Sequence, residues 1–149
     1  EYTDMEEKPK ISIASDHAGF EMKKNIMKYL EKNGFSLIDR GPSSSESVDY
    51  PDFAKKVCKD LLDQNVDRGI LVCGSGQGMA MAANKHKGIR AALCNSEEMT
   101  ELARAHNDAN ILTLGARFVD ESQALSCVEK FISTSFEGDR HIQRVNKIG

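Results

Sequence analysis

With 149 residues, 40% of them hydrophobic and 29% charged, the chain has the length of one domain that buries about two-thirds of its unfolded surface without a disulfide staple. Its formal net charge of -3 and pI near 5.8 argue against nucleic-acid or membrane-surface partners and favour a small ligand. The charged stretch from Glu1 to Lys10 lacks the apolar centre of a signal peptide, and no later run approaches membrane-spanning length, so a cytoplasmic setting is expected. Cys58, Cys73, Cys94 and Cys127 have neither zinc-site nor Cys-x-x-Cys spacing and should stay reduced there.

Residues 1–9 read as a disordered or expression-derived segment, and a single domain is expected over 10–149. Apolar runs of strand length then alternate with stretches of helical period. Strands are expected at 10–15, 35–39, 69–73, 89–94 and 110–114. The first helix puts Phe20, Ile26, Met27 and Leu30 inward and stops at Gly34. The second follows Pro51, with Phe53, Val57, Leu61 and Leu62 on one face. A surface loop of serines, Ser43 to Ser47, precedes it, and a third helix runs from Met79 to Lys87. The fourth starts with Asn95 and Glu98 in capping-box spacing and ends near His106. The fifth starts with Asp120 and Gln123 in the same relation, and a short last helix follows Gly138 with Asp139 as its cap.

This alternation predicts an α/β protein: a three-layer αβα sandwich, Rossmann-like or flavodoxin-like, with a five-stranded parallel sheet and a short C-terminal helix. In such sheets ligands sit at the carboxyl ends of the strands, where chain order reverses. For strand order 2-1-3-4-5 that crevice lies between strands one and three. There the chain places Ser15-Asp-His-Ala-Gly19 and Cys73-Gly-Ser-Gly-Gln-Gly78. Alternate glycines let the main chain approach a ligand, and the amides of such a turn can converge on a negative charge. Other glycine-loop chemistries fail in register. Met79 stands where a dinucleotide fingerprint needs its last glycine and where a phosphatase loop needs arginine, and no lysine follows for an NTPase loop.

Taken in order, Ser15-Asp-His-Ala-Gly19, Asp49-Tyr-Pro51, Cys73-Gly-Ser-Gly-Gln-Gly78, Ala82-Ala-Asn-Lys85, Gly88-Ile-Arg-Ala91, His106-Asn-Asp108, Gly115-Ala-Arg117 and Gly138-Asp-Arg-His-Ile-Gln-Arg-Val145 resemble the type B ribose-5-phosphate isomerases. That family shares its fold with the subunits of galactose-6-phosphate isomerase. The resemblance runs from Ile11 to Val145. It implies an aldose-ketose isomerase of the pentose phosphate pathway, interconverting ribose 5-phosphate and ribulose 5-phosphate through a cis-enediolate. Neither metal nor cofactor is implied.

The resemblance assigns the catalytic roles. Cys73 matches the cysteine base, in a setting where amides and neighbouring donors favour a thiolate. Some relatives carry a glutamate base just after the last glycine, but Met79 stands there. The amides around Gly74, Gly76 and Gly78 would stabilise the enediolate, and Ser75 would relay a proton between its oxygens. His106 matches the ring-opening residue, with Asp16 as its proton partner. His17, Arg117, Arg140 and Arg144 form the implied phosphate pocket, while Tyr50 and Asn107 contact sugar hydroxyls. The resemblance also implies a homodimer or dimer of dimers with the site between subunits.

Each residue also has a plain structural alternative. Cys73 alone is a small core residue, Asp16 a helix cap, His17 an exposed helix-start residue, and His106 a helix-end histidine drawn by the dipole. Arg140 and Arg144 would then be a solvated face, and Ser75 and Tyr50 loop and turn residues. Cys58, Cys94 and Cys127 are read as core filler, and Asn84 and Lys85 as structural support. Two further functional readings are a six-carbon sugar-phosphate isomerase, acting on allose or galactose 6-phosphate, and a non-catalytic module that binds a phosphorylated sugar.

Overall fold

A computed structural model of the protein describes residues 8–149, so most of the expected N-terminal segment lies outside the described residues. Its last two residues belong to the packed body: Pro9 is buried, and Lys8 Nζ donates to the carbonyl of Asn33. No helix among the described residues is long and apolar enough to cross a membrane. In chain order the elements are β1 (Ile11–Ser15), α1 (Phe20–Lys32), β2 (Leu37–Asp39), α2 (Tyr50–Leu62), β3 (Arg68–Cys73) and α3 (Gln77–Ala83). Then follow β4 (Ala91–Leu93), α4 (Glu97–Asn107), β5 (Ile111–Gly115), α5 (Glu121–Ser133) and α6 (Arg140–Asn146).

All five strands pair in parallel, in the order β2-β1-β3-β5-β4. The adjacency of β1 and β3 is as expected, but the last two strands are exchanged relative to 2-1-3-4-5. The reason is burial. Ile111–Gly115 is buried throughout, whereas Ala91–Leu93 has three residues of intermediate exposure, which suits a sheet edge. Right-handed crossovers make the same distinction. The return from β4 to β5 carries α4 to the face of α1 and α5, where it packs against α5, while α2 and α3 share the other face.

The interior strands β1, β3 and β5 therefore serve two cores. Ile11, Ile13, Ile70, Val72, Leu112 and Leu114 face α1, α4 and α5 with Ile26, Leu30, Ala103, Val128 and Phe131. On the opposite face Ala14, Leu71, Cys73 and Ile111 meet Val57, Cys58, Met79 and Ala83 of α2 and α3. This second face also holds a buried carboxylate. Asp60 accepts from Ser12 Oγ at 2.7 Å and from Arg40 Nε and Nη2 at 2.8 and 2.6 Å, and the guanidinium holds its carboxyl below the usual range.

Local signals explain most element ends. Asp120 and Gln123 form a complete capping box, both bonds present. The cap of α4 lies one residue beyond Asn95: Ser96 Oγ accepts from the Met99 amide at 3.2 Å. Helix α3 stops at Ala83, short of Lys87, because both ends of the Asn84 amide pair with the Ala91 backbone at 2.8 and 2.9 Å, which is the structural role expected of Asn84. Asp139 precedes α6 as expected, but at φ 47° and without a side-chain cap bond. Ser43 to Ser47 form an exposed loop, and buried Lys23 holds its start by donating to Asp39 Oδ1 at 2.8 Å and Pro42 O at 3.0 Å.

Candidate active site

Cys73 ends β3 with its side chain toward α2 and α3, 4% exposed. Immediately after it the chain turns through Gly76, whose φ of 80° a side-chain-bearing residue rarely adopts, and the Gly76 amide donates to Cys73 Sγ at 3.2 Å. The turn is docked onto the end of β5: Ala116 N donates to Cys73 O at 2.8 Å and Arg117 N to Gly74 O at 2.9 Å. A Cβ on Gly115 would stand 2.5 Å from Ser75 O, so only glycine admits this close approach. Ser75 Oγ accepts from the Gln77 amide at 3.2 Å and is partly exposed. Met79, by contrast, is fully buried in the second core.

Around this turn stand the residues expected from the end of β1 and the start of α2. Asp16 N donates to Val72 O at 3.1 Å, joining the ends of β1 and β3, and its Oδ1 accepts from Gly19 N at 3.0 Å. That second bond is the helix-entry role read as its plain alternative. Exposed His17 accepts from the Val48 amide at 3.3 Å through Nδ1, fixing the segment that leads into Tyr50. The Tyr50 ring covers Gly78, where an added Cβ would lie 2.5 Å from its Cζ. The Arg117 guanidinium lies over Gly74, 3.1 Å from such a Cβ. Asp16, His17, Tyr50, Cys73, Gly74, Ser75, Gly76, Gly78 and Arg117 thus form one group.

His106, Asn107, Arg140 and Arg144 form a second group, on α4 and α6. His106, half-buried in the last turn of α4, stacks on His141 with ring centres 4.3 Å apart and 15° between planes. Glu137 Oε1 lies 3.8 Å from His106 Nε2 and 3.5 Å from His141 Nε2. Burial, with Arg140 beside it, lowers the proton affinity of His141. Arg140, Arg144 and Asn107 are exposed, and neither guanidinium makes a hydrogen bond or ion pair among the described residues. No hydrogen bond, ion pair or ring contact among the described residues joins this group to the first.

The second group is braced by residues outside the expected site. Asp108, in the left-handed region at φ 49°, accepts from Arg104 Nη1 at 2.8 Å and pairs with Arg90. Buried Arg104 also donates to Thr134 O and Ala109 O, and the Glu137 amide donates to Ala105 O, so α4 holds the approach to α6. Glu137 and His141 were not singled out from the sequence. Their i, i+4 spacing was visible, but only the fold brings them to His106.

The other three cysteines are inert by environment. Burial pushes the Cys58 thiol up to about 11 and raises those of Cys94 and Cys127. A cavity of about 520 Å³ does open beside Tyr29, Phe35, Glu129 and Lys130, away from both groups, and no expected catalytic residue lines it.

A family model described as Ribose/Galactose Isomerase matches residues 11–148. Among curated proteins, the ribose-5-phosphate isomerase B of Escherichia coli is 42% identical over 139 residues, covering 93% of this chain and 93% of its own. A crystal structure of a ribose 5-phosphate isomerase from Thermotoga maritima superposes with a TM-score of 0.93 at 51% identity, over 94% of this chain and 97% of that one. The ribose-5-phosphate isomerase B of Mycoplasma genitalium, solved with bound ribulose-5-phosphate, gives a TM-score of 0.89 at 46% identity, with 93% of each chain covered.

Proposed function

The chain belongs to the ribose/galactose isomerase family, and from that premise we propose that it interconverts ribose 5-phosphate and ribulose 5-phosphate, with Cys73 as the base. The observation that carries the reading is the Cys73 thiol, held 3.2 Å from the Gly76 amide at the carboxyl end of β3. The relative solved with bound ribulose-5-phosphate supports the choice of a five-carbon sugar. Four free cysteines fit a reducing compartment such as the cytoplasm.

In this mechanism the furanose opens first. His106 takes part in moving a proton from the anomeric hydroxyl to the ring oxygen, with Asp16 as partner, leaving an aldehyde at C1. The Cys73 thiolate then removes the C2 proton, and the electron pair moves through C1 onto the carbonyl oxygen, giving the cis-enediolate. Amides of the Gly74 to Gly78 turn stabilise that charge. Losing one such donor typically costs a hundredfold or more in rate. Ser75 transfers a proton between the two oxygens, and Cys73 returns its proton to C1. Arg117 and His17 from one group, with Arg140 and Arg144 from the other, hold the phosphate, while Tyr50 and Asn107 bind hydroxyls.

We further propose that the two groups meet across a homodimer, or within a dimer of dimers, one subunit supplying Cys73 and its neighbours and the other His106, Asn107 and the α6 arginines. Each group includes exposed polar side chains, His17 and Arg117 in one and Asn107, Arg140 and Arg144 in the other, and each has exposed apolar surface beside it: Phe118 next to Arg117 and Ile142 next to His141, at 69% and 49% exposure. Such side chains are well placed to be covered by a partner.

The direct test is proton NMR of ribose 5-phosphate incubated with the protein in deuterium oxide, repeated with Cys73→Ala and with allose 6-phosphate. Deuterium incorporation with conversion to ribulose 5-phosphate, lost in Cys73→Ala while sugar-phosphate binding persists, is the expected result. Preference for allose 6-phosphate would move the reading to six-carbon sugars. Binding without exchange of either sugar would leave only a sugar-phosphate-binding module.

A further inference from the structure

We infer that Nε2 of His106, a carboxylate oxygen of Glu137 and Nε2 of His141 form a binding site for a divalent cation of the zinc type, and that its occupancy withdraws His106 from ring opening. One ligand atom from each residue lies within 4.8 Å of the others. The carboxylate oxygen stands 3.8 and 3.5 Å from the two ring nitrogens, beyond the 2.7–3.2 Å range of a hydrogen bond. Those separations are close to the roughly 3.3–3.6 Å edge of a tetrahedron whose metal-ligand bonds are about 2.0–2.2 Å. The carboxylate oxygen is spaced from each ring nitrogen to share an ion better than to bond either one.

A second, independent observation points to a ligand. His141 is 7% exposed, and its Nε2 is buried without a hydrogen-bond partner among the described residues. A buried ring nitrogen left unsatisfied carries a desolvation cost that a metal bond would remove. The donor set selects the cation: two imidazoles and one carboxylate suit Zn²⁺ or Ni²⁺ and not the oxygen-seeking Mg²⁺ or Ca²⁺. Three protein ligands leave the fourth position to water. The stacked rings, 15° apart, point their lone pairs nearly side by side, so the half-buried His106 ring must turn for both nitrogens to converge. Arg140 and Arg144, on the same helix as His141, oppose the cation and limit its affinity.

Binding is tested without substrate. Titration of Cys73→Ala protein with Co²⁺, and with Zn²⁺ by calorimetry, should show one saturable site per chain, a visible cobalt absorption and no thiolate charge-transfer band. His141→Gln and Glu137→Gln should each weaken binding at least about tenfold, the loss seen even for outer partners of metal ligands. Should either variant misfold, proton NMR of the otherwise unaltered chain decides: Zn²⁺ should shift the ring resonances of His106 and His141 and leave those of His17 and His86. No saturable binding, binding indifferent to both substitutions, or shifts confined to His17 and His86 would overturn the site. The consequence for ring opening rests on the isomerase reading. There Zn²⁺ should slow turnover of cyclic ribose 5-phosphate and be reversed by chelation. Turnover unchanged at saturating Zn²⁺ would overturn that consequence and leave the site itself standing.

Discussion

Four cysteines on one chain, all buried, differ because of what surrounds each sulfur. Cys58, Cys94 and Cys127 sit among apolar side chains that penalise a thiolate, and Cys58 would hold its proton up to about pH 11. Cys73 occupies a strand end where a main-chain amide donates to its sulfur. Iodoacetamide at about pH 8 is therefore expected to alkylate native protein at Cys73 before the other three, since the thiolate is the nucleophile. Peptide mass spectrometry reads the site, and a sugar phosphate should protect it. Equal labelling of all four cysteines would contradict the distinction. The position of Cys73 at a strand end was legible in the sequence because a buried-type strand runs straight into alternating glycines. The burial of His141 was not, since a histidine within a polar terminal helix gives no sign that its ring will be buried with Nε2 lacking a hydrogen-bond partner among the described residues.

Among elements, the β3-α3 turn depends on a strand distant in sequence. Its carbonyls accept from Ala116 and Arg117, and Gly115 lies flat beneath Ser75 O. Gly115→Ala should push the turn away from β5 by several tenths of an ångström, lowering kcat on the order of tenfold to a hundredfold while the far-ultraviolet circular dichroism stays unchanged. Wild-type kcat in that variant would show that β5 does not set the turn's position. The elements themselves were largely readable, because period and caps are local properties. The exchange of β4 and β5 follows from burial in the folded sheet: Ala91–Leu93 is short and partly exposed, whereas Ile111–Gly115 is buried throughout. Alternation of strand and helix says nothing about neighbours, so chain order misplaced the last two strands.

For the whole molecule the decisive feature is the division of the expected residues into two groups that no hydrogen bond, ion pair or ring contact among the described residues joins. If each active site combines Cys73 of one subunit with His106 of another, mixing inactive Cys73→Ala with impaired His106→Ala under conditions of subunit exchange should restore activity. Random re-pairing makes half the dimers hybrid, each with one intact site, so recovery should reach about a quarter of wild-type. No recovery, despite exchange confirmed by mass spectrometry, would place both residues in a site built within one chain.

The sequence by itself determined the α/β class, the parallel sheet, the crevice between β1 and β3 and the family, because strand and helix periods, caps and ordered motifs are written in consecutive residues. Tertiary structure alone decided that β5 lies inside β4, that Gly115 seats the Cys73 turn, and that His106, Glu137 and His141 meet. These depend on which surfaces are buried against each other. Burial is a property of the packed chain, and no local pattern encodes which distant side chain will occupy the facing space.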